Sequence, residues 1–135
     1  MANFYGQFIG FGAGGVAAGF VFQGSIEGYS LGGTNSGSST IDVIDKYSFS
    51  ADQNATDVGN LTASKGGAPG THSSTYGYVG GGGTGGGAGA PRIDVIERLA
   101  FASGGNSVAQ TAVMTNSKSF GASASEETFG YHMGG

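Results

Sequence analysis

The element Gly-Tyr-x-x-Gly-Gly occurs three times in this chain, and that repetition constrains the fold more than any other feature. The copies are Gly28-Tyr29-Ser30-Leu31-Gly32-Gly33, Gly77-Tyr78-Val79-Gly80-Gly81-Gly82 and Gly130-Tyr131-His132-Met133-Gly134-Gly135, with their tyrosines 49 and 53 residues apart. A second element occurs twice, 52 residues apart: Ile41-Asp42-Val43-Ile44-Asp45-Lys46-Tyr47-Ser48-Phe49 and Ile93-Asp94-Val95-Ile96-Glu97-Arg98-Leu99-Ala100-Phe101. Both copies run Ile-Asp-Val-Ile, acid, base and then Phe, and Asn54 and Asn106 keep the same offset. Self-similarity at this period belongs to chains built of stacked supersecondary units.

Composition decides what kind of unit is repeated. Thirty of the 135 residues are glycine, roughly three times the ordinary share. A helix would lose about 1 kcal/mol at each such position relative to alanine. Glycine does not recur at every third position, so a collagen-type helix is excluded. Hydrophobic residues reach 38% and the net charge is only -4, which is not the balance of a disordered chain. An all-β chain remains.

Four short strands fit each unit. Thr71–Tyr76 reads as a polar strand, and the next begins at Tyr78 and ends at a double glycine, where positive φ is tolerated. Ile41–Phe49 is the third. Its odd positions Ile41, Val43, Asp45, Tyr47 and Phe49 form a largely apolar face, and its even positions Asp42, Ile44, Lys46 and Ser48 a mostly polar one. Val58–Ala63, with Leu61 inward, is the fourth. Glycine, asparagine and serine clusters between them predict an antiparallel meander. Phe49 and Phe101 are expected at equivalent buried positions.

Few segments suggest chemistry. The pI of 4.8 and the absence of a basic patch argue against nucleic acid as a partner. There is no cysteine, hence no disulfide or thiolate metal site. Met1–Gln23 is apolar, yet lacks the basic start of a signal peptide and is interrupted by glycine, so neither a leader nor a membrane span is expected. The run Gly80–Ala90 lacks the Gly-Lys-Ser/Thr that a phosphate-binding loop requires, and reads as a flexible connection. It corresponds to Thr34–Thr40 in the first unit, so both loops are expected on one side of the stack. Asp52-Gln53-Asn54-Ala55-Thr56-Asp57 presents alternating oxygens but lacks the glycine and glutamate of a calcium loop, and reads as a capped turn.

The acids Asp45 and Glu97 fall on the apolar-face register, where a carboxylate needs a partner. Lys65 and Lys118, at the ends of the fourth strands, are placed to reach such acids between units. Their recurrence points to structure rather than acid–base catalysis. His72 and His132 do not occupy equivalent repeat positions and read as surface residues. No catalytic, cofactor-binding or metal site is expected, and no cofactor.

These repeats resemble the kelch repeat. In that family a double glycine closes the second strand, an aromatic lies in the third and a large residue packs in the fourth. Here Gly32-Gly33 leads to Tyr47, and Gly81-Gly82 leads to Leu99 and Phe101. The usual tryptophan of the fourth strand is missing, and Leu61 and Val113 or Met114 stand in its region. The middle unit is similar to the kelch-like repeats of tailed bacteriophages, particularly aquatic ones. It carries Ile44-Asp45-Lys46-Tyr47-Ser48-Phe49, then Asn54-Ala55-Thr56-Asp57-Val58-Gly59-Asn60-Leu61-Thr62, then Ser73-Ser74-Thr75 and Gly77-Tyr78.

The resemblance implies four-stranded antiparallel blades forming a partial β-propeller completed by oligomerisation. The divisions are an N-terminal extension over 1–15, repeats over 16–67 and 68–118, and a partial repeat over 119–135. Its structural positions are Tyr29, Gly32, Gly33, Tyr47, Phe49, Leu61, Tyr78, Gly81, Gly82, Leu99, Phe101, Tyr131, Gly134 and Gly135. The implied role is a non-enzymatic virion protein (capsid decoration, fibre or tail component) located in the virion. Its partners would be further copies of itself, as dimer or trimer, and other virion proteins. A module binding a host-surface glycan is the alternative. No insertion into a membrane is implied.

Overall fold

The computed structural model describes residues 27–86, 89–126 and 128–135, and every regular element among them is a β-strand. The N-terminal extension over 1–15 and the start of the first repeat lie outside the described residues. Three antiparallel sheets follow one another along the chain. The first joins β1 (Glu27–Thr34), β2 (Thr40–Ser48) and β3 (Thr56–Asn60) in that order. The second is a four-stranded meander of β4 (Gly70–His72), β5 (Tyr76–Gly80), β6 (Val95–Ala100) and β7 (Val108–Val113). The third pairs β8 (Ala122–Ser125) with β9 (Gly130–Met133).

The register reproduces the sequence repeat. Leu31 faces Ile44 and Gly28 faces Tyr47 in the first sheet; Gly80 faces Ile96 and Gly77 faces Leu99 in the second. Strands β1, β5 and β9 are thus the same position in three units; the double glycine lies near the end of β1 and directly follows β5 and β9. All six of those glycines have positive φ, from 64° at Gly32 to 134° at Gly33, a region that side chains with a Cβ adopt at a cost. The bend lets Gly33 N–H reach the Lys65 carbonyl and Gly82 N–H reach the Lys118 carbonyl, both at 2.9 Å. The fourth strands also attach alike: Leu61 and Met114 donate to the carbonyls of Asp42 and Asp94.

Strand bounds differ modestly from those read in the sequence. Polar Thr71–Tyr76 divides between β4 and β5, because Ser73 accepts from the amides of Thr75 and Tyr76 and so turns the chain there. β3 starts at Thr56 and stops before Leu61. The long glycine run is more ordered than a flexible connection at its start. Gly81, Gly82 and Gly83 are buried, and Gly83 exchanges two backbone hydrogen bonds with Gly66. Farther along, Gly86 packs against the Ser38 backbone, so the two corresponding loops do lie together.

The core sits between the first and second sheets. Ile44, Leu61, Val79 and Leu99 are buried, with Tyr29, Leu31, Val58 and Ala68 packed against them. This corrects the face assignment in β2. Ile44, on the mostly polar face, is fully buried because that face lies on the second sheet. The assignment of Phe49 to a buried site is also overturned. It is 61% exposed, just past the end of β2, and meets Tyr47 edge-on at 5.6 Å. Phe101 is half-buried instead, stacked on Tyr29 at 5.2 Å. Alternation along β2 alone does not tell which of its faces the second sheet covers.

Candidate functional site

The junction between the first and second sheets is built around Glu97. β6 presents Glu97 and Leu99 on the same face, two residues apart, toward the first unit. Leu99 enters the apolar cluster; Glu97 meets donors. The Glu97 carboxylate accepts from the Lys65 ammonium and from the Ser107 hydroxyl, both in short contacts, and from the Thr62 amide at 2.8 Å. Lys65 and Glu97 are both fully buried. Burial pushes the Glu97 carboxyl up, but the hydrogen bonds from Lys65, Ser107 and Thr62 together outweigh it and hold it below its ordinary value.

Backbone bonds flank this pair. Ser107 N–H donates to the Asn60 carbonyl at 2.9 Å, and Asn106 Oδ1 accepts from Asn60 N–H at 2.9 Å. The Asn106 offset visible in the sequence thus has a role between units. Gly59, with φ of 156°, lies against Gly105, where any Cβ would collide with backbone.

The lysine–acid pairing read from the sequence holds for Lys65 with Glu97. It does not extend to the other two groups. The Asp45 carboxylate makes no ion pair among the described residues, and Lys118 donates to the His132 carbonyl at 3.4 Å. Two donors to Glu97 left little trace in sequence. Thr62 contributes a backbone amide, and Ser107 lies in a segment that departs from the first repeat. His132 corrects the surface reading: it is half-buried, its ring against Gly80, and its Nδ1 is buried without a hydrogen-bond partner. Burial and then the Lys118 charge hold its pKa below the ordinary value. His72 is exposed, as read.

Two clefts open between the units. One, of 390 Å³, lies at the first junction and exposes the aromatic rings of Tyr29, Tyr47, Phe49 and Phe101. The other, of 600 Å³, lies between the second and third sheets and is lined by Tyr78, Ile96, Met114, Lys118 and His132. The third sheet is attached to the second through β4: His72 N–H donates to Ser125 Oγ at 3.0 Å, and Ser123 Oγ to the Gly70 carbonyl at 2.5 Å. Asp57 accepts from Gly59 N–H at 3.0 Å within β3. Among the described residues no three His, Asp or Glu side chains gather as a metal site.

No protein-family model matches the chain, and no curated protein matches it.

Proposed function

We propose that the chain is a non-enzymatic virion structural protein of a tailed phage, a capsid-decorating, fibre or tail component whose kelch-like units form part of a β-propeller. The observation that carries the structural role is the Glu97 junction. Its buried acid accepts from Lys65 and Thr62 of the first unit and from Ser107 of its own, so two of its three donors tie one unit to the next. The phage assignment rests on the repeat resemblance, which is dense over residues 41–82. Immunogold labelling of purified phage particles tests it. Label at a fixed position on intact virions is the expected result, and label confined to lysate debris defeats the reading.

A second reading is favoured by the aromatic cleft at the first junction. Exposed tyrosine and phenylalanine faces stack against the apolar faces of sugar rings, and neighbouring polar groups such as Glu27 and His72 orient hydroxyls. In this reading the same virion protein recognises a host-surface glycan. Binding on a glycan array that is lost in Tyr47→Ala supports it; a blank array removes it.

A further inference from the structure

His132 stands where the second unit has Val79, at the third position of Gly-Tyr-x-x-Gly-Gly. Val79 is buried in the apolar cluster of the first junction with Leu61, and Leu31 packs against that cluster. At the second junction the repeat equivalents of Leu61 and Leu31 are Met114 and Gly80. The missing side chain at Gly80 leaves room for an imidazole. A Cβ there would lie 2.5 Å from His132 Cε1, 2.7 Å from its Nδ1 and 3.2 Å from Met114 Sδ. Nδ1 is buried without a hydrogen-bond partner. A titratable ring thus occupies the place of an aliphatic core residue.

The neutral ring suits this place and the charged ring does not. An imidazolium carries hydrogen on both nitrogens, and the Nδ1 hydrogen would meet at best a thioether, a weak acceptor. Among the described residues, the titratable side chains around the cleft are Lys118 after β7, Glu126 just after β8, Tyr78 of β5 and His72 of β4. From β6 only Ile96 reaches it. Lys118 is held close, its ammonium donating to the carbonyl of His132 itself. The Glu126 carboxylate is engaged elsewhere: it accepts from the Tyr131 hydroxyl at 3.0 Å, and Tyr131 projects from the other face of β9. Burial and the Lys118 charge both oppose protonation of His132.

Little else holds the third sheet to the second. All four buried aliphatic side chains belong to the first junction. β8 meets β4 through the His72–Ser125 and Ser123–Gly70 hydrogen bonds, and the Phe120 amide, just before β8, donates to the Gly67 carbonyl at 2.7 Å. No ion pair among the described residues crosses this junction.

We propose that His132 is a pH-sensitive latch: its neutral ring holds the third sheet on the second, and protonation of the ring releases β8 and β9 from β4 and β5 while the first junction stays closed. Release exposes the ring to water, where it takes its proton at the ordinary value of 6.5. Each pH unit below that value therefore favours the open form about tenfold, the linkage of a single proton, until the docked ring titrates as well. The first junction does not respond in this range, because its buried acid, Glu97, titrates below 4.5. The latch requires only the second and third sheets and no virion assignment.

Hydrogen–deuterium exchange on the intact chain, read residue by residue by NMR and corrected for intrinsic rates, tests the latch between about pH 7.5 and pH 5. Protection of the His72 and Phe120 amides, whose bonds cross the second junction, should fall about tenfold per pH unit below about 6.5 and then level off. Protection of the Asn60, Thr62 and Ser107 amides, which cross the first junction, should hold. His132→Gln should remove the pH dependence, and His72→Gln should keep it. Constant protection at His72 and Phe120, an equal loss at both junctions, or a dependence that survives His132→Gln overturns the proposal. So does its disappearance in His72→Gln, an exposed substitution that leaves the junction intact and decides the matter even where His132→Gln does not fold.

Discussion

Lys65 and Glu97 stand 32 residues apart in sequence and in direct contact inside the protein, each with no solvent exposure. Lys65 follows the last strand of the first sheet, and Glu97 sits in the third strand of the second. The pair therefore fastens one unit to the next rather than closing a unit on itself. Removing one partner of a buried pair leaves a charge without compensation, which costs about 3–5 kcal/mol. Lys65→Met should lose about that much in urea denaturation. The double variant Lys65→Met/Glu97→Leu should recover much of the loss, because the buried charge is gone. A double variant no better than the single one would show that the pair contributes net stability of its own.

Acid should weaken the fold in two windows. The folded Glu97 carboxyl titrates below its ordinary 4.5. Its stabilisation is present above the unfolded value and is lost as pH falls through the folded one. His132 also titrates below its ordinary 6.5. The folded state resists its protonation, so stability falls as pH drops from about 6.5 toward the folded value. Melting curves between pH 8 and pH 2 should show both slopes. His132→Gln should flatten the upper one and Glu97→Gln the lower.

The double-glycine bends separate strain from crowding. At Gly81, φ is 71° and a Cβ would run into the Lys118 carbonyl. Gly104 has φ of 59° with open space around it. Gly104→Ala should cost about 1–2 kcal/mol, the left-handed penalty alone, and Gly81→Ala clearly more. Thermal melts of the two variants measure the difference, and equal losses would contradict the crowding.

Core truncations should rank by burial rather than by residue size. Leu99→Ala, at 1% exposure, should lose about 2–5 kcal/mol. Phe49→Ala, at 61% exposure, should lose under about 1 kcal/mol, since exposed positions contribute little. Phe101→Ala belongs between them because its ring is half-buried on Tyr29. Chemical denaturation of the three variants gives the order.

The fold class and the repeat period were legible because glycine density excludes helix and because Gly-Tyr-x-x-Gly-Gly marks the same bend three times. The Asp45/Glu97 register, with lysines poised at the fourth-strand ends, also led to the Lys65–Glu97 contact. The depth of Ile44 and the exposure of Phe49 were not legible. Alternation reports which side chains share a face, not whether a neighbouring sheet covers that face. Thr62 escaped notice because a backbone amide leaves no mark in residue type. Ser107 escaped because its segment lacks the Asn-Ala-Thr of the first repeat. Burial of His132 follows from the absence of a side chain at Gly80, a complement visible only once the two strands are side by side.

Three amide protons bridge the first two units without belonging to any strand ladder: Asn60 to Asn106 Oδ1, Thr62 to Glu97, and Ser107 to the Asn60 carbonyl. Such protons exchange with solvent when the units part, even while each sheet keeps its own pairing. Amides inside β5 and β6 exchange only when the second sheet itself opens. Comparing the two sets by hydrogen–deuterium exchange therefore yields the free energy of unit separation apart from that of unfolding.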